Sequence, residues 1–413
     1  MSAGQFELFK NLLEKVSKNS PFYSEKFKKS GVDINEITSM EMIKNLPFTT
    51  KEELREAYPL GLQAVPDENI VRIHSSSGTT GKPIIIPYTA QDVADWAEMM
   101  ARSYEITGIT PLDRIQITPG YGLWTAGIGF QAGCEKLGAM AVPMGPGNTD
   151  KQLQMMIDLK STVIIGTSSY ALVLAEEVEK RGLRSEIYLK KGVIGSERWG
   201  EKMRQRIKNE LGIEIYDIYG LTEIYGPGIA IDCDSHSGMH YYDDFLYFEI
   251  IDSATGEVLP EGEVGELVIT TLRKEGAPLL RYRTRDLTRI IPGKCACGLS
   301  YPRIDRIIGR TDDMVKVKGV NIYPGQIDEI LREIEGVSSE YQIIIDHING
   351  KDVMTLKAEY NSDGDTEREE IEYNIVDLFK KRIGIHIIAE VSRIGSLPRS
   401  EKKSKRIVDY RQN

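Results

Sequence analysis

Between residues 90 and 220 the chain alternates helical and strand-like segments, and this alternation restricts the fold more than any other feature. Helical stretches such as DKQLQMMIDLK (150–160) are separated by short apolar runs, which are TVIIG (162–166), GVIG (192–195) and IEIYDIYG (213–220). Apolar runs of this length between helices predict a sheet with helices packed on it. We therefore expect an α/β fold with a large N-terminal body of several subdomains.

The bulk properties limit the protein class. At 413 residues the chain is too long for one ordinary domain, and its net charge of -10 argues against nucleic-acid or anionic-membrane partners. The first 20 residues carry Phe6, Phe9, Leu13 and Val16 at helical spacing, which predicts a packed helix and not a signal peptide. Four cysteines in so long a chain do not make a disulfide framework. Together these features predict a cytoplasmic protein without a membrane span.

After Gly309 the pattern changes to a smaller α+β type. MVKVKGVNIYP (314–324) predicts a hairpin, and YQIIIDHINGKDVMTLKAEY (341–360) predicts two strands joined at Asn349-Gly350. A charged helix over about 365–382 and a final strand IHIIAEV should follow. We place the domain boundary within GRTDD (309–313), which predicts a body over 1–309 and a small C-terminal domain over 310–413.

The stretch HSSSGTTGKPIIIPY (74–88) predicts a strand, a glycine-rich turn and a second strand. Glycines let the backbone approach a phosphate closely, hydroxyls add donors, and Lys82 adds positive charge. The P-loop pattern does not fit, because Gly78 and Gly81 are too close and Pro83 stands where a magnesium-binding hydroxyl is needed. A mobile surface turn is the alternative for this loop taken alone.

Four further stretches bear on that choice, namely IYGLTE (218–223), YRTRD (282–286), GRTDDMVKVKG (309–319) and GSLPRSEKKSKR (395–406). Each is weak alone, since Tyr219 could belong to the core, Asp286 to a structural ion pair, and the basic run to a solvated tail. Their order along the chain is what makes them specific.

In that order, SSSGTTGKPIIIPYT, PGYGLWTAG, GSERW, IYGLTE, LLRYRTRDLTRI, IIGRTDDMVKVKGVNIYP and SLPRSEKKSKR resemble the adenylate-forming enzymes, and within them the phenylacetate–CoA ligase branch. The resemblance covers nearly the whole chain. It implies that ATP activates a carboxylate to an acyl-adenylate with release of pyrophosphate. The thiol of coenzyme A then takes the acyl group.

The resemblance also assigns roles by position. The phosphate-binding loop would consist of Ser75, Ser76, Ser77, Gly78, Thr79, Thr80, Gly81 and Lys82. The adenine-binding segments would contain Gly195, Ser196, Glu197, Tyr219 and Gly220. Thr222 would contact the α-phosphate, and Glu223 would bind Mg²⁺, a cation that prefers oxygen ligands. Asp286 would accept both ribose hydroxyls, with Arg310 as a further nucleotide contact.

Asp312 falls at the family's hinge, and the residues beyond it would form a small mobile lid that rotates between the two half-reactions. Lys403 would carry positive charge to the reacting carboxylate and α-phosphate. The usual Gly-Lys of this motif is Lys402-Lys403 here, so Lys402 and Lys405 remain alternatives. Tyr121 and Trp124 would line a pocket for a flat apolar acid, unless they belong to the core.

Three of the cysteines predict a metal site. Cys295 and Cys297 lie in GKCACGLS, and Cys233 lies in DCDSHSGMHYYDD with two histidines. Three thiolates and one imidazole would complete a structural zinc tetrahedron. The residues alone leave His236 and His240 open, and the resemblance to the branch favours His240. Cys134 has no partner in sequence and should pack within a helix.

Three functions follow. The first is an ATP-dependent acid–CoA ligase for an aryl or arylalkyl acid, for which the branch implies a possible homodimer. The second keeps adenylation but changes the acceptor to a deazaflavin coenzyme, an amine or a carrier protein. The third is a non-catalytic nucleotide-binding protein. Assigned acidic residues and a lid lysine favour an enzyme over the third.

Overall fold

The computed structural model describes residues 3–76, 82–197, 199–348, 351–361, 365–399 and 406–411. Three short 3₁₀ helices cover Ile34–Glu36, Met40–Asn45 and Asp67–Asn69. The α-helices of the described chain are α1 (Ala3–Asn19), α2 (Pro21–Ser30), α3 (Lys51–Glu56), α4 (Ala90–Ile106), α5 (Ala126–Leu137), α6 (Thr149–Asp158), α7 (Ser168–Arg181), α8 (Glu201–Leu211), α9 (Pro324–Glu333) and α10 (Asp365–Arg382).

The strands alternate with these helices in the first half and cluster in the second. They are β1 (Ile70–Ser75), β2 (Ile85–Thr89), β3 (Arg114–Ile117), β4 (Met140–Pro143), β5 (Val163–Thr167), β6 (Lys191–Gly195), β7 (Glu214–Leu221), β8 (Gly226–Asp232), β9 (Met239–Tyr241), β10 (Leu246–Ile251), β11 (Gly265–Thr271), β12 (Tyr282–Thr288), β13 (Ile290–Ile291), β14 (Arg303–Ile304), β15 (Gly309–Arg310), β16 (Val315–Val317), β17 (Val320–Ile322), β18 (Val337–Ile348), β19 (Lys351–Tyr360), β20 (Ile388–Arg393) and β21 (Ile407–Asp409). The α/β fold class is confirmed.

Tertiary contacts group the chain into two compact units. The first unit comprises Met1–Gly145, Ser161–Ile165 and Tyr216–Ile307. The second unit comprises Pro146–Lys160, Gly166–Ile215 and Ile308–Asn413. The boundary near 309–313 and the division into a body and a lid stay predictions.

The first unit contains parallel and antiparallel pairings. β3 pairs in parallel with β4 and with β5, whereas β7, β8, β9, β14 and β13 follow one another as antiparallel neighbours. β10, β11 and β12 form a further antiparallel set. β1 and β2 pair antiparallel, which confirms the strand–turn–strand prediction around the glycine-rich loop.

Helices cover these strands with apolar faces. Phe9, Leu13 and Val16 of α1 are buried, as their spacing predicted, and they pack in a cluster with α2. α4 packs against α5, and Trp96 of α4 is fully buried. Cys134 is buried within α5, which confirms its predicted place.

In the second unit, the predicted hairpins are confirmed as the pairs β16–β17 and β18–β19, although their Asn349-Gly350 turn lies outside the described residues. The helix predicted over 365–382 is α10. The final-strand prediction was wrong in two respects. β20 begins later than IHIIAEV, at Ile388, and β21 follows as a parallel neighbour of β18. β21 has only three residues and follows a basic run, so the sequence shows no alternation of apolar and polar residues that would predict it.

None of the helices within the described ranges combines the length and hydropathy required to cross a bilayer.

Candidate active site

The two strands that flank the glycine-rich loop are held by hydrogen bonds at the loop's base. The Ser75 N–H donates to the Leu123 carbonyl at 2.8 Å, and the Ser76 hydroxyl accepts from the Ile84 N–H at 2.9 Å. Predicted loop residues Ser77, Gly78, Thr79, Thr80 and Gly81 lie outside the described residues. The structure therefore describes the stem of the predicted phosphate loop.

His74 precedes this loop and is 2% exposed. Its Nδ1 lies 3.2 Å from the Leu123 carbonyl, and its ring makes edge contacts with Tyr88 and Trp96 at centroid distances of 5.3 and 5.6 Å. Burial lowers the pKa of His74 to about 4, so the imidazole is neutral at pH 7. His74 and Ser75 both bind Leu123 and so connect the loop to the GYGLWTAG segment.

Beyond the loop, Lys82 places its ammonium 5.7 Å from the centre of the Tyr58 ring. The side chain is exposed, and it is the one lysine of the predicted phosphate loop. A cation over a ring on the surface contributes little to stability. Lys82 therefore stays available to an anionic ligand.

The turn between β7 and β8 carries Thr222 and Glu223. A Cβ on Gly220 would lie 2.0 Å from the Gly226 carbonyl oxygen, so the close approach of the two strands requires glycine there. The Thr222 hydroxyl lies 3.4 Å from that of Thr125. The turn thus meets the segment that follows GYGLW.

Glu223 is 5% exposed, and its carboxylate lies 3.4 Å from the ammonium of Lys51. Lys51 begins α3, whose N-cap is Thr50. A buried carboxylate with one cation at this distance keeps oxygen lone pairs for a further ligand. This geometry suits a hard cation such as Mg²⁺.

Tyr219 and Asp286 meet across the first unit. The Tyr219 hydroxyl donates to Asp286 Oδ2 at 2.6 Å, and both residues are less than 10% exposed, at 8% and 4%. The Asp286 N–H also donates to the Thr284 hydroxyl at 3.0 Å. The Tyr219 contact orients the carboxylate that was predicted to bind ribose, and the Thr284 contact holds the Asp286 main chain.

Other predicted nucleotide residues lie in the second unit. Gly195 ends β6 and is buried, and Ser196 adopts a left-handed conformation with φ 68°. Glu197 Oε2 accepts from the Ser169 hydroxyl at 2.6 Å, and its other oxygen accepts from the Ser169 N–H at 3.3 Å. Glu197 is therefore tied to the first turn of α7.

Arg310 and Asp312 form an ion pair, with Nε and Nη2 donating at 2.8 and 3.0 Å. The assigned roles of nucleotide contact and hinge stay predictions. The three lysines Lys402, Lys403 and Lys405 lie outside the described residues.

The two aromatic residues predicted to bind the acid differ in their surroundings. Trp124 is 46% exposed and so is not part of the core. Tyr121 packs its ring on Gly127, where a Cβ would lie 2.7 Å from the ring, and its hydroxyl has no hydrogen-bond partner among the described residues. Burial raises the pKa of Tyr121 to about 12, so the hydroxyl stays protonated.

The cysteine-rich segments converge within the first unit. Ligand atoms of Cys233, His240, Cys295 and Cys297 all lie within 4.8 Å of one another. The sulfurs of Cys233 and Cys295 are 3.7 Å apart, and Cys297 Sγ is 3.3 Å from His240 Nε2. The other ring nitrogen of His240 lies 2.9 Å from the Tyr301 carbonyl.

The alternative histidine, His236, lies elsewhere. Its Nδ1 is 2.7 Å from Asp232 Oδ2, and its ring packs near Tyr216. The geometry of the described chain thus places His240, and not His236, among the three cysteines.

Sequence reasoning overlooked Lys51 and Lys274. Lys274 is 1% exposed and lies near the Glu223 turn. Burial lowers the pKa of Lys274 to about 7, against the opposing pull of the Asp92 and Glu223 carboxylates. No local pattern marked either lysine, because both reach the turn from distant parts of the chain.

Comparison with known proteins agrees with the motifs. Residues 15–272 match the family model for AMP-binding enzymes, and residues 319–411 match the AMP-binding enzyme C-terminal domain. The chain is similar to phenylacetate-coenzyme A ligase from Pseudomonas putida, at 40% identity over 98% of this chain and 93% of that protein. Phenylacetate-coenzyme A ligase from Escherichia coli (strain K12) is also 40% identical, over 100% and 95%.

Among solved structures, the chain is similar to a 2-hydroxyisobutyryl-CoA ligase in the postadenylation state in complex with R3-HIB-AMP. The TM-score is 0.89 at 27% identity, over 99% of this chain and 89% of that one. The resemblance inferred from motif order is thereby confirmed. This chain belongs to the AMP-binding enzyme family, in its phenylacetate–coenzyme A ligase branch.

Proposed function

We propose that this chain is an AMP-forming acid–CoA ligase whose acid is an aryl or arylalkyl carboxylate. The observation that carries the proposal is the β7–β8 turn, where buried Glu223 retains oxygen lone pairs beside Thr222. Such a turn can bind the magnesium and α-phosphate of ATP. The likeness to phenylacetate-coenzyme A ligases along the whole chain supports the acid and the acceptor.

In the proposed first half-reaction, a carboxylate oxygen of the acid attacks the α-phosphorus of ATP. The bond from that phosphorus to the bridging oxygen breaks, and pyrophosphate leaves. The oriented Asp286 would hold the ribose, and Lys403 would stabilise the charge that develops at phosphorus. The adenine would contact Gly195, Ser196 and Glu197, and Arg310 would make a further contact with the nucleotide.

In the second half-reaction, the coenzyme A sulfur attacks the acyl carbonyl and AMP leaves. The partly buried Tyr121 ring and the exposed Trp124 ring offer flat apolar faces, which supports an aromatic acid. A homodimer remains a proposal from the branch.

The test is acid-dependent exchange between pyrophosphate and ATP, across aryl, arylalkyl and short alkyl acids, with thioester measured separately after addition of coenzyme A. We expect exchange and thioester with aryl or arylalkyl acids. Glu223→Gln should lower exchange roughly 10²-fold, since it removes the carboxylate proposed to bind the Mg²⁺ that stabilises the charge developing on the phosphates. Glu257→Gln, at an exposed carboxylate, is the matched control.

Exchange without thioester would contradict coenzyme A as the acceptor and favour the amine, carrier-protein or deazaflavin alternatives. Exchange confined to alkyl acids would contradict the aromatic preference.

We also propose that Cys233, His240, Cys295 and Cys297 bind a structural zinc ion. Zinc–sulfur bonds of about 2.3 Å in a tetrahedron place sulfurs roughly 3.8 Å apart. The observed 3.7 Å between Cys233 and Cys295 fits that edge. The contact of His240 Nδ1 with the Tyr301 carbonyl would orient Nε2 toward the metal.

Metal analysis should find about one zinc per chain, since four protein ligands fill the tetrahedron. Cys297→Ala should lose zinc, whereas Cys134→Ala, at a buried cysteine outside this cluster, should retain it. Protein that stays metal-free after zinc addition, with unchanged stability, would contradict the site.

A further inference from the structure

Lys274 is an unusual residue of the first unit because its whole side chain is buried. It follows β11 and is 1% exposed. Lysine is rarely buried without a specific partner, since desolvating an ammonium is costly. The groups that contact Lys274 therefore indicate what a lysine does at this position.

Two aromatic rings and a main-chain oxygen surround the ammonium. Nζ lies 4.2 Å from the centre of the Tyr88 ring and 4.7 Å from that of Tyr225. It donates a hydrogen bond to the Ile224 carbonyl. Rings stabilise a desolvated cation through their negative faces, and the carbonyl supplies a direct acceptor.

The same turn receives a second bond from Tyr88. Its hydroxyl donates to the Tyr225 carbonyl at 2.9 Å. Lys274 and Tyr88 therefore bind two consecutive carbonyls, and these directly follow Glu223. Because both bonds act on backbone, they restrain the main chain of the turn that carries Thr222 and Glu223.

The neighbouring carboxylate of Asp92 is hydrogen-bonded to main-chain N–H groups. Asp92 accepts from the N–H groups of Glu275 and Gly276 at 2.7 and 2.8 Å, and from the N–H of Thr89 at 3.0 Å. In its protonated form, Lys274 attracts the carboxylates of both Asp92 and Glu223. A carboxylate so balanced can be buried before its metal arrives.

We propose that Lys274 is a positioning residue for adenylation, which holds the Thr222–Tyr225 turn so that Glu223 is aimed at Mg²⁺–ATP. This inference depends on the proposed function and adds to it a residue that touches neither substrate nor metal.

The test uses Lys274→Met, which keeps the length and removes the donor and charge. Pyrophosphate exchange should fall on the order of 10²-fold, because a misplaced catalytic group costs about that much. The Mg²⁺ concentration for half-maximal exchange should rise several-fold. Thioester formation from pre-made acyl-adenylate, which needs no metal at Glu223, should change less than about threefold.

Two further variants keep the result decisive. Leu13→Ala, in the buried α1 cluster, destabilises the first unit without touching the turn, and it should leave the Mg²⁺ dependence unchanged. Tyr88→Phe keeps the ring and removes one turn bond, so it should shift exchange and Mg²⁺ dependence in the same direction as Lys274→Met, by less. If Lys274→Met does not fold, the exchange rate and Mg²⁺ dependence of Tyr88→Phe test the inference instead.

Equal loss of both half-reactions, or a Mg²⁺ dependence like that of the wild type, would overturn the inference. Absence of exchange in the wild type itself would overturn the proposed function, and the two failures are thereby distinguished.

Discussion

Buried charge is arranged differently in two regions of this protein. Around Glu223 in the first unit, Lys51 stands 3.4 Å from the carboxylate and Lys274 donates to a main-chain carbonyl. Neither cation closes a bidentate pair on Glu223. The carboxylate therefore keeps capacity for a metal ion.

Around Arg399 in the second unit, the guanidinium donates to two carboxylates at once. Its hydrogen bonds to Glu176 measure 2.8–3.1 Å and those to Glu359 measure 2.8–3.0 Å. Glu176 also accepts from Arg206 at 2.8 Å. The guanidinium nitrogens of Arg399 thus bond to other protein groups, which is typical of a structural ion pair.

The two regions therefore differ in a way that distinguishes a ligand-binding carboxylate from one that joins parts of the protein. A carboxylate approached by cations from a distance can change partners, whereas one held by a bidentate guanidinium cannot do so without a large loss. These hydrogen bonds hold Arg399, which belongs to the same GSLPRSEKKSKR stretch (395–406) as Lys403.

The largest effect is expected from Lys403→Ala. Adenylation should fall on the order of 10² to 10³, because a charge aimed at the transition state is lost. Thioester formation from pre-made acyl-adenylate should be nearly unchanged. Rapid-quench assays of each half-reaction measure this.

Lys402→Ala and Lys405→Ala are the matched controls for that lysine. A larger loss in either would move the assignment to it, and equal loss in both half-reactions would contradict the lid role.

Arg399→Ala should next reduce the free energy of unfolding by about 3 kcal/mol, because buried Glu359 is left without its cation. Urea denaturation measures the change. Arg181→Ala breaks ion pairs at the surface with Asp150 and Glu177, and its effect should be much smaller. Equal losses would contradict the structural ion pair.

A smaller, pH-dependent effect on folding stability is expected from His74. Its pKa is lowered from 6.5 to about 4 by burial, so the unfolded chain binds the proton more tightly. Stability should be complete above pH 6.5 and fall as pH decreases toward 4, by about 2 kcal/mol at pH 5. Denaturation of His74→Gln should lack this component.

His386→Gln, at an exposed histidine, controls for the loss of an imidazole. A wild type and a His74→Gln variant with parallel pH profiles would contradict the neutral buried state of His74.

The smallest effect is expected from Tyr219→Phe. Without the 2.6 Å hydrogen bond, Asp286 loses an orienting partner, and the KM for ATP should rise roughly threefold to tenfold. The rise should be less with 2′-deoxy-ATP if Asp286 binds the ribose. Steady-state kinetics measure both.

Tyr216→Phe on the same strand removes a 2.7 Å bond to Asp234 and is the matched control. An equal KM change in both variants would contradict a role for the Tyr219–Asp286 pair.

Features that depend on neighbours in sequence were predicted well. The β16–β17 and β18–β19 hairpins and α10 follow from local patterning and turn residues. β21 was missed because its existence depends on β18, to which it adds as a short parallel strand. Such a strand has no periodicity of its own.

The order of seven motifs in the sequence was enough to identify the family, and with it the α/β class and the expected chemistry. The folded structure was needed to place His240 among the three cysteines, as the resemblance had favoured, and to show that Tyr219 meets Asp286 and that Lys51 and Lys274 approach the Glu223 turn. The difference arises from the distance along the chain over which each kind of interaction acts. Backbone propensity acts over a few residues, whereas burial and hydrogen bonding pair side chains that only the completed packing brings together.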